Sequence, residues 1–210
     1  MKISSAKGFT LLELIITLAI AGILLGVGVP SFTSMMAESK IGAQYNSLVG
    51  SLYHARSEAI KGAADVTVCP RQAAGAFNCG TDGDWENGWI VFIDSANTPG
   101  ELLAVVENQD DIIAVNPAMK GLNTVTSFGS TTNTVATAAP VNYVRYLQNG
   151  TSSLTTGSIV ICDVSRGPAA SRSLNVVQTG DIRKGTATEG NDAPRDVFNR
   201  AISLFCPDPA

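Results

Sequence analysis

The sequence has little of what an enzyme or a metal site is built from. It contains one histidine, His54, and four cysteines, none of which forms a Cys-x-x-Cys pair, so the ligand spacing typical of zinc sites is missing. No paired-acid motif, activated nucleophile or phosphate-binding glycine loop is present. We therefore predict that the chain is not an enzyme and holds no cofactor or metal. His54 stands on the edge of a helical stripe, which favours a structural role.

Charge is also scarce, and it is unevenly distributed. Charged residues make up 15% of the 210 residues, and the formal net charge is −4, which does not indicate a general affinity for nucleic acid. Residues 65–140 hold nine acids against two bases, whereas residues 141–210 hold seven bases against six acids. Any basic site is therefore expected in the last third of the chain.

The one long apolar run lies near the N-terminus. Residues 1–8 form a polar leader, and the 24 residues from Phe9 to Phe32 contain a single charge, Glu13. As a helix this run is about 36 Å long, enough to cross a bilayer core of about 30 Å. It is too long for the apolar part of a secretory signal peptide, and no small-x-small cleavage site closes it. Because an unpaired carboxylate at membrane depth is costly, Glu13 is predicted to have a functional partner.

The pattern then changes to that of an amphipathic helix over residues 33–62. Its apolar stripe consists of Ile41, Tyr45, Leu48, Leu52, Ala55 and Ala59. Its polar face carries Lys40, Gln44, Ser47, Ser51, Glu58 and Lys61. With the transmembrane half over residues 9–32, this predicts one long helix that Pro30 bends or loosens by removing a backbone donor.

Residues 63–210 are predicted to form a β-rich globular head, which makes the fold α+β with antiparallel strands. Runs rich in β-branched and aromatic residues predict strands at 66–69, 88–94, 102–106, 112–115, near Val125 and Val135, at 143–147, 158–164 and 172–177, with a short apolar segment at 201–205. Asn149-Gly150 is the best hairpin signal, so the strands on either side of it are predicted to pair. The strand at 172–177 is predicted to turn at Gly180.

Four cysteines in an exported chain indicate disulfide bonds. They allow three pairings, of which we choose Cys69–Cys79 and Cys162–Cys206. The first closes a short loop rich in small residues, and the second ties the C-terminal tail to a predicted strand. Closing the larger loop is worth roughly 4 kcal/mol in the chain-entropy model.

Three alternating acids, Asp82, Asp84 and Glu86, precede the strongest predicted strand. Their carboxylates are the hard oxygen ligands that calcium takes. The run lacks the glycine and the distal glutamate of an EF-hand loop. We interpret it as a turn and predict no metal site there.

Residues 7–13, Lys-Gly-Phe-Thr-Leu-Leu-Glu, resemble the processing signal of type IV pilins and pseudopilins. The resemblance implies a pilin fold, cleavage between Gly8 and Phe9 by a prepilin peptidase, and N-methylation of Phe9. It also implies that Glu13 pairs with the α-amino group of Phe9 in a neighbouring subunit, and that Pro30 is the kinking proline of the family. A buried pair of this kind sets subunit register more than it adds stability.

Residues 55–60, 66–69 and 84–94 are similar to the FimT, FimU and GspH type of minor pilin and pseudopilin. This implies a single-pass protein of the bacterial inner membrane with its head in the periplasm, later extracellular in the pilus. The implied partners are other minor and major pilins, the prepilin peptidase and the inner-membrane assembly platform. The implied function is to prime or assemble the pilus at its tip, in support of twitching, adhesion and DNA uptake.

Two other functions stay open, and one of them concerns DNA. FimT-type members linked to DNA uptake carry Gly-Arg-x-Arg near the C-terminus, where this chain keeps Gly180 and Arg183 but has Asp181 in place of the first arginine. Arg183, Lys184 and Arg172 are the candidate phosphate contacts of such a DNA receptor for natural transformation. Since an acid repels phosphate, we favour a solvated turn there. The second alternative is a GspH-like minor pseudopilin of type II secretion.

Overall fold

The structure is a computed structural model. It describes residues 9–80, 85–94, 111–119, 121, 123–130, 139–140, 142–153, 156–185, 187–188, 191–196, 200 and 206. The chain divides into two compact units, residues 1–40 and 41–210. The predicted leader, including Gly8, the predicted strands at 102–106 and near Val135, and the segment at 201–205 lie outside the described residues.

Helix α1 spans Leu11–Gly62 and continues through Pro30. Thr10 caps its start, because its Oγ1 accepts a hydrogen bond from the backbone N–H of Glu13 at 3.2 Å. The Pro30 carbonyl accepts a bond from the Thr33 hydroxyl at 2.9 Å. An 18-residue window of this helix is long and apolar enough to cross a membrane, and none of it is buried.

From Ile41 onward the helix buries one face, which confirms most of the predicted stripe. The buried residues are Ile41, Leu48, Ser51, Leu52, Ala55 and Ala59. Ser51 contradicts the prediction, which placed it on the polar face. It tolerates burial because its hydroxyl donates to the Ser47 carbonyl at 3.0 Å and accepts from Asn116 Nδ2 at 3.2 Å.

Eleven strands follow within the described residues. They are β1 (Val66–Pro70), β2 (Trp89–Ile93), β3 (Ile112–Asn116), β4 (Thr124–Ser130), β5 (Ala139–Pro140), β6 (Val144–Tyr146), β7 (Thr156–Cys162), β8 (Arg172–Val177), β9 (Ile182–Lys184), β10 (Ala187–Thr188) and β11 (Asn191–Pro194). They form a four-stranded sheet, β3-β2-β1-β6, a five-stranded sheet, β5-β4-β7-β8-β9, and the hairpin β10-β11, all antiparallel. The fold is α+β, as predicted.

The predicted hairpin at Asn149-Gly150 is wrong in its strand pairing. The turn itself forms, since Gly150 N–H donates to the Leu147 carbonyl at 2.7 Å and Gly150 has φ +79°. However, β6 pairs with β1, whereas β7 lies between β4 and β8 in the other sheet. The chain changes sheet just past the turn: Ser153 N–H still donates to the Arg145 carbonyl at 2.9 Å, whereas Ser152 N–H donates to the Gln178 carbonyl at 2.9 Å.

The buried face of α1 and the inner faces of both sheets share one apolar core, in which Trp85, Tyr146, Leu48 and Leu52 are among the largest fully buried side chains. A smaller cluster of Cys69, Ile90 and Phe92 packs on the outer face of the first sheet. Both clusters lie within residues 41–210, so the head has its own hydrophobic interior.

The segment before β2 joins the two sheets. Trp85 Nε1 donates to Ser127 Oγ on β4 at 2.8 Å, and Glu86 Oε1 accepts the backbone N–H of Val125 at 2.6 Å. Glu86 therefore has a structural partner. Asp82 and Asp84, the other acids of the supposed calcium loop, lie outside the described residues.

Candidate assembly surface and head site

The first part of α1 is an apolar surface without cover in the single chain. Sixteen large apolar side chains between Phe9 and Met36 are exposed, from 49% at Ile16 to 78% at Phe9. Covering each of them would contribute about 1.5–3 kcal/mol. This segment therefore requires lipid or other apolar helices around it.

Glu13 is the one charge in this surface up to Phe32. Within the described part of the chain its carboxylate has no ion-pair partner, and its backbone N–H donates the N-cap hydrogen bond to Thr10 Oγ1. Phe9, whose α-amino group is the partner implied by the pilin resemblance, is exposed. An unpaired carboxylate is costly in an apolar environment. Glu13 therefore needs a positively charged partner from outside the described chain when this helix is surrounded by lipid or other helices.

Two tight turns hold the head against the end of α1. One is the turn at residues 147–151 after β6, and the other is the turn at residues 177–181 between β8 and β9. Arg56 Nη2 donates to the Thr179 carbonyl at 2.9 Å. A Cβ on Gly180 would clash with the Gly150 carbonyl oxygen, and a Cβ on Gly150 would lie 2.7 Å from Ile60 Cδ1. Only glycine permits this approach, and we call this arrangement the turn clamp.

The three candidate phosphate-binding residues do not converge on one face. In the β8–β9 register, Lys184 pairs with Leu174 and Arg183 with Asn175. Leu174 faces the core, so Lys184 and Arg172 lie on the helix side of the sheet and Arg183 lies on the other side.

Tyr45 on α1 lies near Arg172: burial and the nearby Tyr53 raise the pKa of Tyr45, and Arg172 lowers it in part.

Arg183 is also next to an acid. Its Nε lies 3.6 Å from Asp181 Oδ2, with the two side chains 69% and 47% exposed. An exposed pair of this kind adds little stability. It does, however, cancel local positive charge where a phosphate would bind.

The disulfide pairs in the structure are Cys69–Cys79 and Cys162–Cys206. Cys69 and Cys162 lie in strands β1 and β7 and are fully buried. Each bond therefore attaches a loop or tail to an interior strand of a sheet. The second bond connects residues 44 positions apart and therefore closes the larger loop, since the first connects residues 10 positions apart.

Asp163 organises the loop after β7. Its Oδ1 accepts the N–H groups of Ser165 and Arg166 at 3.1 and 3.0 Å, and its Oδ2 lies 2.6 Å from Arg166 Nη2. Burial alone would raise the pKa of Asp163, but the hydrogen bonds from Ser165 and Arg166 outweigh it and hold the pKa below its ordinary value.

Acid is expected to loosen this loop through Asp163. Because the folded-state pKa is lowered, the stabilisation is fully present above the ordinary value of 3.8 and is lost as the pH falls through the folded value. The protection of the Ser165 and Arg166 amides against hydrogen exchange, relative to their intrinsic exchange rates, should therefore fall in the full chain in detergent as the pH drops through the folded-state pKa of Asp163, and the Asp163→Asn variant should lack this step. An identical pH profile in both proteins would contradict the assignment.

Comparison with known families decides the identity. Residues 44–180 match the family described as "Type II transport protein GspH". The chain belongs to the GspH family. Residues 3–29 match the "Prokaryotic N-terminal methylation motif", and together the two matches make this GspH-family chain a type IV pilin-like minor pilin. A search of curated proteins gave no match.

Solved structures similar to this GspH-family chain include one minor pilin and one minor pseudopilin. The type IV minor pilin FimU of Pseudomonas aeruginosa is 17% identical, with a TM-score of 0.44 over 72% of this chain and 87% of FimU. The minor pseudopilin EpsH from the type II secretion system of Vibrio cholerae is 17% identical, with a TM-score of 0.42 over 73% of this chain and 97% of EpsH.

Sequence reasoning missed the turn clamp. Arg56 stands in an unremarkable polar position of the helix, and its partner carbonyl, at Thr179, is 123 residues away. Gly150 and Gly180 each carry a turn signal of their own. Their direct contact depends on how the two sheets cross, which local patterns do not encode.

Proposed function

We propose that this GspH-family protein is a minor type IV pilin that takes part in priming pilus assembly, at the pilus tip. Its helix half at residues 9–32 anchors it once in the inner membrane, and its head at residues 63–210 lies in the periplasm and then outside the cell with the pilus. The proposal is carried by the exposed apolar helix, whose Glu13 has no ion-pair partner among the described residues and lies within the N-terminal methylation motif.

The proposed mechanism is assembly rather than catalysis. Prepilin peptidase cuts between Gly8 and Phe9, and the freed amine of Phe9 pairs with Glu13 of a neighbouring major or minor pilin on the assembly platform. The pair fixes axial register because a carboxylate displaced by one helix turn would stay unpaired in an apolar bundle. Pro30 lies within the same packed segment.

Glu13→Ala tests the mechanism. We expect the variant to be cut between Gly8 and Phe9 as in the parent protein but to enter filaments at least about tenfold less, because the register pair is lost. Immunoblots of sheared filaments and mass spectrometry of the membrane fraction measure the two steps. Glu38→Ala, at the other acid before Ile41 in α1, is the matched control and should assemble normally.

Two outcomes would overturn the proposal. Normal entry of the Glu13→Ala variant into filaments would contradict the register role. An uncut chain, or a cut elsewhere than between Gly8 and Phe9, would contradict the pilin mechanism as a whole. A chain found with the type II secretion machinery, in a strain whose pili form without it, would favour the pseudopilin alternative.

The geometry of β9 disfavours a DNA receptor. We expect the full chain in detergent not to shift DNA at about 0.15 M salt, because Asp181 neutralises Arg183 and Lys184 lies on the other face. Asp181→Arg should raise affinity about tenfold at low salt, and Asp181→Asn, which only removes the acid, should raise it less. Tight, salt-sensitive binding by the parent protein that is lost in Arg183→Gln would establish the DNA alternative instead.

A further inference from the structure

Residues 69–80 form a small hairpin closed by a disulfide, which we call the tip hairpin. Cys69 and Cys79 are joined by a disulfide. Across the loop, Gln72 N–H donates to the Asn78 carbonyl at 3.1 Å, and Gly80 N–H donates to the Pro70 carbonyl at 2.7 Å. The backbone of this loop is therefore ordered before any partner arrives.

The buried side chain of Arg71 stabilises the tip hairpin. Its side chain is buried, its Nε donates to the Ala76 carbonyl at 2.6 Å, and its guanidinium carbon lies 5.8 Å from the centroid of the Phe77 ring. Arg71 is the one charged residue in residues 70–80. Its charge is thus used inside the loop, and the outer surface is neutral.

The outer side of the tip hairpin presents small and aromatic side chains to solvent. Exposed residues of the loop are Gln72, Ala73, Ala74, Gly75, Phe77 and Asn78. Phe77 is 42% exposed, and one face of its ring lies against the Arg71 guanidinium. A fixed aromatic side chain on a rigid loop loses little conformational entropy on binding, which is the property of an interface hot spot.

We infer that the tip hairpin docks through Phe77 into an apolar pocket on the head of a neighbouring pilin subunit in the assembled filament. The inference rests on the proposed function, since it needs a filament or priming complex around the protein. It adds a contact between heads to the contacts between helices.

The size of the tip hairpin identifies its occupant. A stable interface between free proteins needs about 800 Å² on each partner, which is far more than a tip of six exposed residues offers. Such a contact holds only a molecule that is already tethered alongside, at high effective concentration. The apolar helix of each subunit supplies that tether in the same membrane or filament.

Lipid and nucleic acid fit the tip hairpin poorly. Burying one Phe side chain gives about 2 kcal/mol, which does not hold a loop in a bilayer without basic residues nearby. Nucleic acid binding needs exposed cations, and the outer surface of this loop has none among its described residues. A neutral pocket on a protein is the chemistry that remains.

Site-specific photocrosslinking at position 77 tests the inference. Phe77 is replaced by p-benzoylphenylalanine in the full chain, expressed in a piliated strain that lacks its own copy, and adducts in sheared filaments are identified by mass spectrometry. In parallel, Phe77→Ala is compared with Val115→Ala on β3, whose side chain is 44% exposed. We expect an adduct with another pilin subunit, and about tenfold less Phe77→Ala protein in filaments, with Val115→Ala unchanged.

The remaining outcomes are decisive in the other direction. If the chain is present in filaments but position 77 gives no adduct, or one with lipid, docking is wrong while the proposed function stands. If the chain with its native Phe77 never enters filaments, both fail together. The melting temperature of the Phe77→Ala variant in detergent, compared with that of the parent protein, shows whether the variant still folds. If the melting temperature falls, the loss from filaments is set aside and the crosslinking result alone decides the inference.

Discussion

Gly180→Ala is expected to destabilise the head by about 3 kcal/mol or more. Gly180 has φ +77°, which costs a residue with a Cβ about 1–2 kcal/mol. The added Cβ would also meet the Gly150 carbonyl oxygen of the turn clamp, and overpacking of this kind typically costs about 1–3 kcal/mol. Denaturant unfolding of the full chain in detergent, followed by tryptophan fluorescence, measures the change, because both tryptophans lie in the head.

Gly75→Ala is the matched control for this prediction. Gly75 also has positive φ, +94°, but nothing lies within 4 Å of the position of its missing Cβ. It therefore shares the backbone cost without the clash. If the two variants lose equal stability, the contact between the two turns contributes nothing and the turn clamp is wrong as a structural account.

Trp85→Ala is expected to have the second large effect, a loss of about 3–5 kcal/mol. Trp85 is fully buried between the sheets, so truncation leaves a cavity. It also leaves the Ser127 hydroxyl without the donor that lies 2.8 Å away. Thermal unfolding of the full chain in detergent, followed by circular dichroism, checks the change while Trp89 remains as a fluorescence probe.

Trp85→Phe separates the two contributions to this loss. It keeps most of the apolar volume and removes the indole N–H, so we expect a loss of about 1–2 kcal/mol. Ser127→Ala removes the same bond from the other side, and the double variant should cost little more than either single change. Fully additive losses would mean that Trp85 and Ser127 are not coupled, contrary to the geometry.

Much of the helix could be predicted because its signals are local. The long apolar run and the three-to-four spacing after Ile41 each follow from residues one to four positions apart. The cap at Thr10, which begins the helix at Leu11 rather than at Phe9, was not predicted. Ser51 was misplaced since a serine is polar in isolation. Its burial depends on Asn116, 65 positions away, and no periodicity carries that information.

Seven of the eleven strands in the described part of the head were predicted, whereas the short strands β5, β9, β10 and β11 and the pairing between the sheets were not. Runs such as residues 89–93 identify themselves by β-branched and aromatic content. An Asn-Gly turn, however, fixes only a local reversal and does not determine the sheet in which the next strand lies. In this protein β7 instead pairs along its length with β4 and β8, and these are long-range contacts.

The candidate phosphate-binding residues could likewise be identified from the sequence, but their arrangement in space could not. Arg183 and Lys184 are adjacent in sequence, and a turn could have presented both to one ligand. The structure places them in a strand, where neighbours point to opposite faces. If residues 182–184 are known to form a strand, it follows that Arg183 and Lys184 lie on opposite faces of the sheet. The sequence patterns lacked this information because they predicted a turn there.

The two cystine bridges have a consequence for the order of events during biogenesis. Thiols are kept reduced where ribosomes work and are oxidised only beyond the inner membrane. Cys162 cannot join Cys206 until the 44-residue span between them has also been translocated. With the head in the periplasm, as proposed, this disulfide closes only after the C-terminal segment that carries Cys206 has crossed the membrane. A strain that lacks its periplasmic thiol oxidase should accumulate protein that has been cut between Gly8 and Phe9 but still has reduced Cys162 and Cys206.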